Sequence, residues 1–425
     1  MLNLKFIREN EEIVKKSVKD RNIDLNIDNL LKLDSKRRDI LKESEVLKHK
    51  KNTMSQEIGK KIAKNENVSQ EKSEIKTISQ KIKEFDAQVG EINQKLSNLL
   101  LTVPNIPHKS VPIGPDPQGN KLVKEWGKPP KFKFEPRSHV ELCNMLDIVD
   151  FKRASKIAGS FFILYKGLGA RLERALINFM LDLHTKKHGY KEIFPPFLVN
   201  RKSMTGTGQL PKLEEDMYRL KDEDYFLIPT AEVPVTNMHR DELLEEEKLP
   251  VYYAAYTACF RREAGSYGKD TKGMSRVHQF NKVELVKFVK PETSYDELEL
   301  LLENAEAVIQ LLGLSYRISA LSTQGISFAA AKCYDIELWA AGSKAYLEVS
   351  SCSNFEAFQA RRMNIRYRDK NTQKLSYVHT LNGSGVATAR LFIALVENYQ
   401  TKNGTVIIPK ALRPYMDGLK EIKPA

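Results

Sequence analysis

The sequence predicts an α+β protein. An antiparallel two-helix coiled-coil arm comes first, followed by a domain built on an antiparallel β-sheet flanked by helices. Three observations carry that reading. Apolar residues recur at alternating spacings of three and four from Ile75 to Leu99. Eight of the 18 prolines crowd between Pro104 and Pro136. Beyond them, apolar runs of strand length arrive in succession rather than in strict alternation with helical segments, which favours an antiparallel sheet.

The arm is read from its heptads. Ile75, Ile78, Ile82, Phe85, Val89, Ile92, Leu96 and Leu99 form an a/d seam. Upstream, Leu33, Ile40, Leu47 and Met54 fall seven apart, but Arg37, Ser44 and Lys51 interrupt the companion positions. Turn formers fill Lys64 to Gln70, with Ser69 as the expected N-cap. Helices over about 27–63 and 69–100 must therefore fold back on each other. Residues 31–100 carry 16 lysines and arginines against 11 aspartates and glutamates. That excess fits a solvated coiled-coil face, and it also fits a grip on phosphates.

Residues 1–100 are expected to be one domain, 101–136 a linker and 137–425 a second domain. Proline fixes φ and lacks a donor, so helix or central strand is not expected in the linker. In the second domain, Leu172, Leu176, Phe179 and Leu183 mark a helix. Strand-like runs include Ser160–Tyr165, Val277 through Phe288, and Ala345–Val349.

The formal charge of +13 and pI near 9.2 fit either a polyanionic partner or a lysine-rich surface. Cys143, Cys259, Cys333 and Cys352 form no C-x-x-C pair and join no histidine at metal spacing. No zinc and a reduced, cytoplasmic setting are therefore expected. No signal peptide or membrane span is expected. No Walker A sequence and no strand-following G-x-G-x-x-G occurs, so any nucleotide is held another way.

Four segments hold polar groups in apolar surroundings. In Cys259–Ser266 and the strand after it, Arg261 and Glu263 share one face, and Phe280, Lys282 and Glu284 share another. Arginine, ring and carboxylate suit a nucleotide, although a hairpin with a surface salt bridge reads the same. Glu348 and Ser351 could hold Mg²⁺ with phosphates, provided a bulge or strand end puts both on one side; an ordinary strand terminus is the alternative. Leu381–Arg390 offers glycines before a helix start that favours anions, or a plain loop-to-helix junction. Thr230 and Glu232, two apart, share a face if extended, in what is otherwise a loop.

Together these segments resemble the class II aminoacyl-tRNA synthetases, and closely the bacterial-type seryl-tRNA synthetases, over essentially the whole chain. His188–Val199 resembles motif 1, with Pro196 as its proline in the dimer-interface motif. Phe260 through Glu284 resembles motif 2, and Gly383–Arg390 resembles motif 3. Thr205–Pro211 and Thr230-Ala231-Glu232 look serine-type. The resemblance implies ATP bound by Arg261, Arg262, Glu263, Val277, Phe280, Glu348, Val349, Ser350, Ser351 and Arg390. It implies L-serine bound by Thr230, Ala231, Glu232, Arg261, Glu284 and Ser384, and Mg²⁺ bound by Glu348 and Ser351. Arg261 and Arg390 are the implied catalytic residues. A homodimer serving tRNA(Ser), and tRNA(Sec) besides, is the implied assembly. A paralogue that loads a carrier protein should lack the arm, and a non-catalytic one should have lost Arg261, Glu284 or Arg390.

Overall fold

The computed structural model describes residues 1–264 and 273–424. Residues 265–272, inside the loop expected between Ala264 and Arg276, and Ala425 lie outside the described residues. The chain divides into two compact units, a helical one over Leu2–Pro104 and a sheet unit over Asn105–Ala425 that also takes in Met1.

The helical unit comprises α1 (Leu4–Glu9), α2 (Glu11–Asp20), α3 (Ile27–Ala63) and α4 (Ser69–Thr102). Asn26 starts α3 by accepting the Asn29 N–H at 3.2 Å. The 37 residues of α3 span roughly 55 Å. Leu30, Ile40 and Ile58 of α3 and Ile78, Ile82, Ile92 and Leu96 of α4 are buried along the arm. The antiparallel register shows in the cross-arm ion pairs. Lys48 meets Asp86 at 3.0 Å, and Lys61 meets Glu71 at 2.5 Å. These pairs are largely exposed, so they contribute little, and apolar burial holds the arm together. The polar seam of α3 is real: Ser44 is buried, and its hydroxyl has no partner among the described residues. Ser69 is not the cap of α4. It is the first helical residue, and the Asn67 side chain accepts its N–H at 3.0 Å.

The sheet unit is built on eight strands: β1 (Lys121–Trp126), β2 (Lys191–Ile193), β3 (Val251–Phe260), β4 (Gln279–Val289), β5 (Tyr316–Ala320), β6 (Lys332–Ala340), β7 (Ala345–Asn354) and β8 (His379–Ala387). Their spatial order is β1-β5-β6-β7-β8-β4-β3-β2. All neighbours are antiparallel except β2 with β3, so the sheet is mixed at one edge. Helices α5 (Leu168–Lys186), α6 (Ser294–Leu311) and α7 (Thr388–Asn398) share one apolar core with the sheet. Strand β4 shows how the faces divide. Val283, Leu285 and Val289 enter that core, while Val286 and Phe288 join a second cluster on the opposite face.

Two expectations need correcting. The proline-rich stretch is not a free linker from 105 onward. Asn105 N–H donates to Phe328 O, His108 N–H donates to Ala331 O, and β1 pairs with β5 as an edge strand, the position where proline-flanked strands are tolerated. Ser160–Tyr165 is not a strand. It turns at Phe161, whose φ is +65°, and keeps a single bridge from Tyr165 to Val149.

Asp34 is the most buried charge in the helical unit. Its carboxylate is fully enclosed and accepts from Arg8 at 2.8 Å and from Arg37 and Arg38 at 3.2 Å. Asp34→Ala is expected to lower the local opening free energy of residues 27–40 by about 1–3 kcal/mol, read by native-state hydrogen exchange. Unchanged exchange there would show that the arginine cluster contributes nothing net.

Candidate functional site

The face of the sheet opposite the helices opens into a cavity of about 800 Å³ in the sheet unit. Strand pairing explains most of its lining. Alternation puts Phe280, Lys282 and Glu284 of β4 on the cavity side. Antiparallel register then sets Ser384 of β8 directly beside Glu284. Asn382 Nδ2 donates to one Glu284 oxygen at 3.0 Å, and Ser384 Oγ donates to the other at 3.4 Å. Lys282 completes the group, with Nζ 2.5 Å from Glu284 and 3.0 Å from Thr230 Oγ1.

Thr230 and Glu232 reach the same cavity by a different route from the one expected. The segment is not extended. Glu232 opens a short helix, Glu232–Asn237, and its N–H donates to Thr230 Oγ1 at 3.2 Å. Glu232 is buried and accepts from Gln359 Nε2 at 2.6 Å. Burial, then the neighbouring Glu284 charge, push its carboxyl up to about 7, against the pull of Gln359, Lys282 and Arg261. Ala231 sits between them, but its side chain packs with Val235 and Ala255 rather than lining the cavity.

Arg261 follows β3 directly and lies over the Phe280 ring, with 5.2 Å from guanidinium carbon to ring centroid. Its backbone is pinned to His278, its N–H donating to the His278 carbonyl at 2.9 Å. Glu263 also borders the cavity. It holds a left-handed φ of +52°, a conformation costing on the order of 1 kcal/mol in a non-glycine residue. Its carboxylate accepts from Arg276 Nη1 at 2.6 Å. Val277 lines the wall beside it. Arg262 does not join them. It is exposed, and its guanidinium donates to Glu215 O at 3.1 Å.

The condition set on Glu348 and Ser351 is met. Glu348 pairs with Glu337, and then the register slips, so that Ser350 pairs with Ile336 and Ser351 with Asp335. Glu337 and Asp335 are two apart on β6, so their partners Glu348 and Ser351 lie on one face. Ser351 Oγ is 3.2 Å from Glu348 and donates to Asp335 at 2.6 Å. Burial and then the Glu348 charge raise the Asp335 carboxyl above its ordinary range. Val349 and Ser350 border the cavity with their side chains turned away. Val349 enters the core, and Ser350 Oγ donates to Ser384 O at 2.6 Å. Among the described residues no group of three or more His, Cys, Asp or Glu could hold a metal alone.

Arg390 is the third residue of α7. It donates to Glu348 O at 2.8 Å and to Ser275 O at 3.1 Å. Gly383 and Gly385 are strand residues here, not a loop. A Cβ at Gly385 would lie 2.6 Å from His184 Nε2, and one at Gly383 would lie 2.8 Å from Cys352 Sγ. Close packing, rather than an anion cradle, calls for glycine. Pro196 is exposed beyond the edge strand β2, far along the sheet order from the cavity-lining strands β7 and β8.

Residues that sequence reasoning missed are the supporting ones: Gln359 behind Glu232, Asp335 behind Ser351, and Asn382 beside Glu284. For Asn382 the strand alternation with Ser384 was an available signal. For the other two no local signal exists.

Comparison with known proteins shows the family of the chain. Residues 215–399 match the tRNA synthetase class II core domain (G, H, P, S and T), and residues 1–107 match the seryl-tRNA synthetase N-terminal domain. The chain is 55% identical over 416 residues to the serine–tRNA ligase of Carboxydothermus hydrogenoformans, covering 98% of each chain. It is 56% identical over 417 residues to that of Geobacillus kaustophilus, again covering 98% of each. The crystal structure of seryl-tRNA synthetase from Pyrococcus horikoshii complexed with ATP matches over 100% of both chains, with a TM-score of 0.95 at 40% identity. With both domain types in order along one chain, at this identity and near-complete coverage, the chain belongs to the seryl-tRNA synthetase family of class II aminoacyl-tRNA ligases.

Proposed function

We propose that this serine–tRNA ligase activates L-serine with ATP in the 800 Å³ cavity and passes the seryl group to the 3′ end of tRNA(Ser). The observation that carries the reading is the meeting of phosphate-binding and zwitterion-binding groups in that one cavity. Arg261, Arg390 and Phe280 line it together with Glu232, Glu284 and Ser384. The resemblance alone extends the reading to tRNA(Sec).

In the first step an oxygen of the serine carboxylate attacks the α-phosphorus of ATP. The bond to pyrophosphate breaks, and seryl-adenylate remains. The carboxylate is already a nucleophile, so no base is required. Arg261 neutralises the α-phosphate and orients the carboxylate, while Arg390 takes the γ-phosphate. Phe280 offers its ring to adenine, opposite Glu263 and the Val277 backbone. In the second step a hydroxyl of the terminal ribose attacks the seryl carbonyl, and AMP leaves with release of a proton.

Glu348 and Ser351 present oxygen donors only, with the Glu348 side chain about half exposed, and this suits a hard divalent cation. Mg²⁺ bound there would supply positive charge to the phosphates.

Serine is told from alanine by its hydroxyl. Glu284 and Ser384 would bond it, and alanine would forgo that bond; a site built to hydrogen-bond a substrate hydroxyl can reject the analogue lacking it by roughly 10⁴–10⁵. Glu232 faces the ammonium. Threonine must be excluded by volume, a weaker lever of about 1–3 kcal/mol per methylene.

We assign tRNA binding to the arm, where the basic excess of residues 31–100 lies on α3, with 10 lysines and arginines against 5 aspartates and glutamates over 31–63. A homodimer is supported by the unpaired edge of β2 and by Phe194 beside it, 73% exposed. A reduced compartment is supported by the four cysteines, all free and buried. No helix among the described residues is long and apolar enough to cross a membrane.

Arg261→Ala is expected to abolish serine-dependent ATP–pyrophosphate exchange, and wild-type exchange should be confined to serine when all twenty amino acids are tried. Retained exchange in the variant would remove Arg261 from the reaction. Deleting residues 30–98 should leave exchange intact and abolish aminoacylation; surviving aminoacylation would show that the arm is not the grip on tRNA. Because the Glu232 carboxyl sits at about 7, it becomes neutral as pH falls and ceases to balance the ammonium. The KM for serine should therefore rise by about tenfold per unit below pH 7, and a flat profile between pH 5.5 and 8 would detach Glu232 from the ammonium.

A further inference from the structure

The run Met274–Val277 forms one wall of the cavity. Arg390 Nε holds it at Ser275 O, and the Arg276 side chain is tied to Glu263. A third hold comes from His139, a residue outside every segment of the site described above. His139 is only 4% exposed, in the first turn of the short helix His139–Met145. Its Nε2 lies 3.3 Å from the Met274 amide nitrogen. Its Nδ1 lies 2.8 Å from Glu397 Oε1. The Met274 N–H points at Nε2 and needs a lone pair there. The ring proton therefore sits on Nδ1 and is donated to Glu397.

Glu397 is fully buried and receives donors only. They are the His139 N–H at 2.9 Å, His139 Nδ1, the Ser343 N–H at 2.8 Å and Ser343 Oγ at 2.9 Å. Burial alone would raise this carboxyl, but the bonds from His139 and Ser343 outweigh it and hold it below its ordinary range. Such a fully satisfied carboxylate fixes one tautomer and one ring orientation.

The approach from the other side is equally specific. Gly273 has φ of +73°, and a Cβ there would lie 2.1 Å from His139 Nε2. The backbone can meet the ring only because glycine stands at that place. Glu397 also lies on α7, seven residues beyond Arg390, which is about 10 Å along the axis. One helix thus holds two consecutive residues of the wall: Met274 by way of His139, and Ser275 by Arg390.

We propose that His139, oriented by Glu397, is a positioning residue that anchors the Met274 amide and so keeps the Met274–Val277 wall in place for the adenine end of the nucleotide. The last clause rests on the reading of the cavity as the ATP site.

The test compares full-length His139→Ala, His139→Gln and His139→Asn with the unaltered enzyme. Glutamine can return an acceptor near the Nε2 position, whereas asparagine returns only the donor to Glu397. Loss of one buried hydrogen bond should raise the KM for ATP in serine-dependent exchange by about five- to tenfold in the Ala and Asn variants. Glutamine should restore most of this, and the KM for serine should stay within roughly twofold, because no serine-binding group depends on this bond. Hydrogen exchange at the Met274 amide, read without substrate, should quicken in the same order. Unchanged Met274 exchange overturns the anchor. So does an equal rise of both KM values, which would mean a general loss of structure. Equal behaviour of Gln and Asn also overturns it, and this contrast decides the matter even if the alanine variant does not fold. Quickened Met274 exchange with an unchanged KM for ATP would keep the anchor and overturn its link to the nucleotide. A wild-type enzyme inactive in exchange would count against the ATP reading alone.

Discussion

A β-strand has two faces and no third, and the sheet unit rests on how β4 uses them. Its odd-numbered residues, Val283, Leu285 and Val289, enter the core shared with α5, α6 and α7. Its even-numbered residues, Phe280, Lys282 and Glu284, face the cavity. The burial that holds the helices on the sheet also fixes which way the polar groups point. A slip of one residue would place a glutamate in the core and a leucine in the site. Neighbouring strands inherit the constraint through register: the pairing of β8 with β4, running from His379 beside Val289, sets Ser384 beside Glu284.

The electrostatics of the cavity follow from packing two carboxylates, Glu232 and Glu284, into a nearly dry place. Alone, each would lose several kcal/mol of hydration. Lys282 offsets this for Glu284, and Gln359 partly does so for Glu232. The compensation is incomplete, and the raised carboxyl of Glu232 records the remainder. That remainder is useful. A cationic group entering the cavity meets a carboxylate that gains by pairing with it, and the dipoles around it are already set, so little reorganisation opposes binding.

What could be read in the chain alone follows the range of the interactions involved. The arm was legible because heptads are local: each apolar residue finds its counterpart by rule. Glu284 and Glu348 stood out as charges inside apolar strands, and the fold brings them to one cavity with Arg261, Phe280 and Arg390. Ser69 was misjudged by one residue: Val68 stands at the cap position, and Ser69 is already helical, its own N–H donated to the Asn67 side chain. Ser160–Tyr165 has strand composition, but Phe161 turns the backbone left-handed, and no composition reveals that. Ala231 and Arg262 lie in the right segments with side chains turned elsewhere. Gln359 is 127 residues from Glu232, and His139 is 135 from Met274. Such partners are chosen by the folded shape, so nothing near them in the chain announces them.

The extra residue in β7 has a consequence for how this strand can change over generations. Without it, β7 and β6 would pair in an unbroken ladder, and that segment would be the steadier for it. Yet the parity of everything beyond Glu348 would flip, and Ser351 would turn its back on the carboxylate it now accompanies. The ladder is therefore kept imperfect by what it has to present. A single codon lost or gained between Glu348 and Ser351 would be felt as a change of face rather than of length.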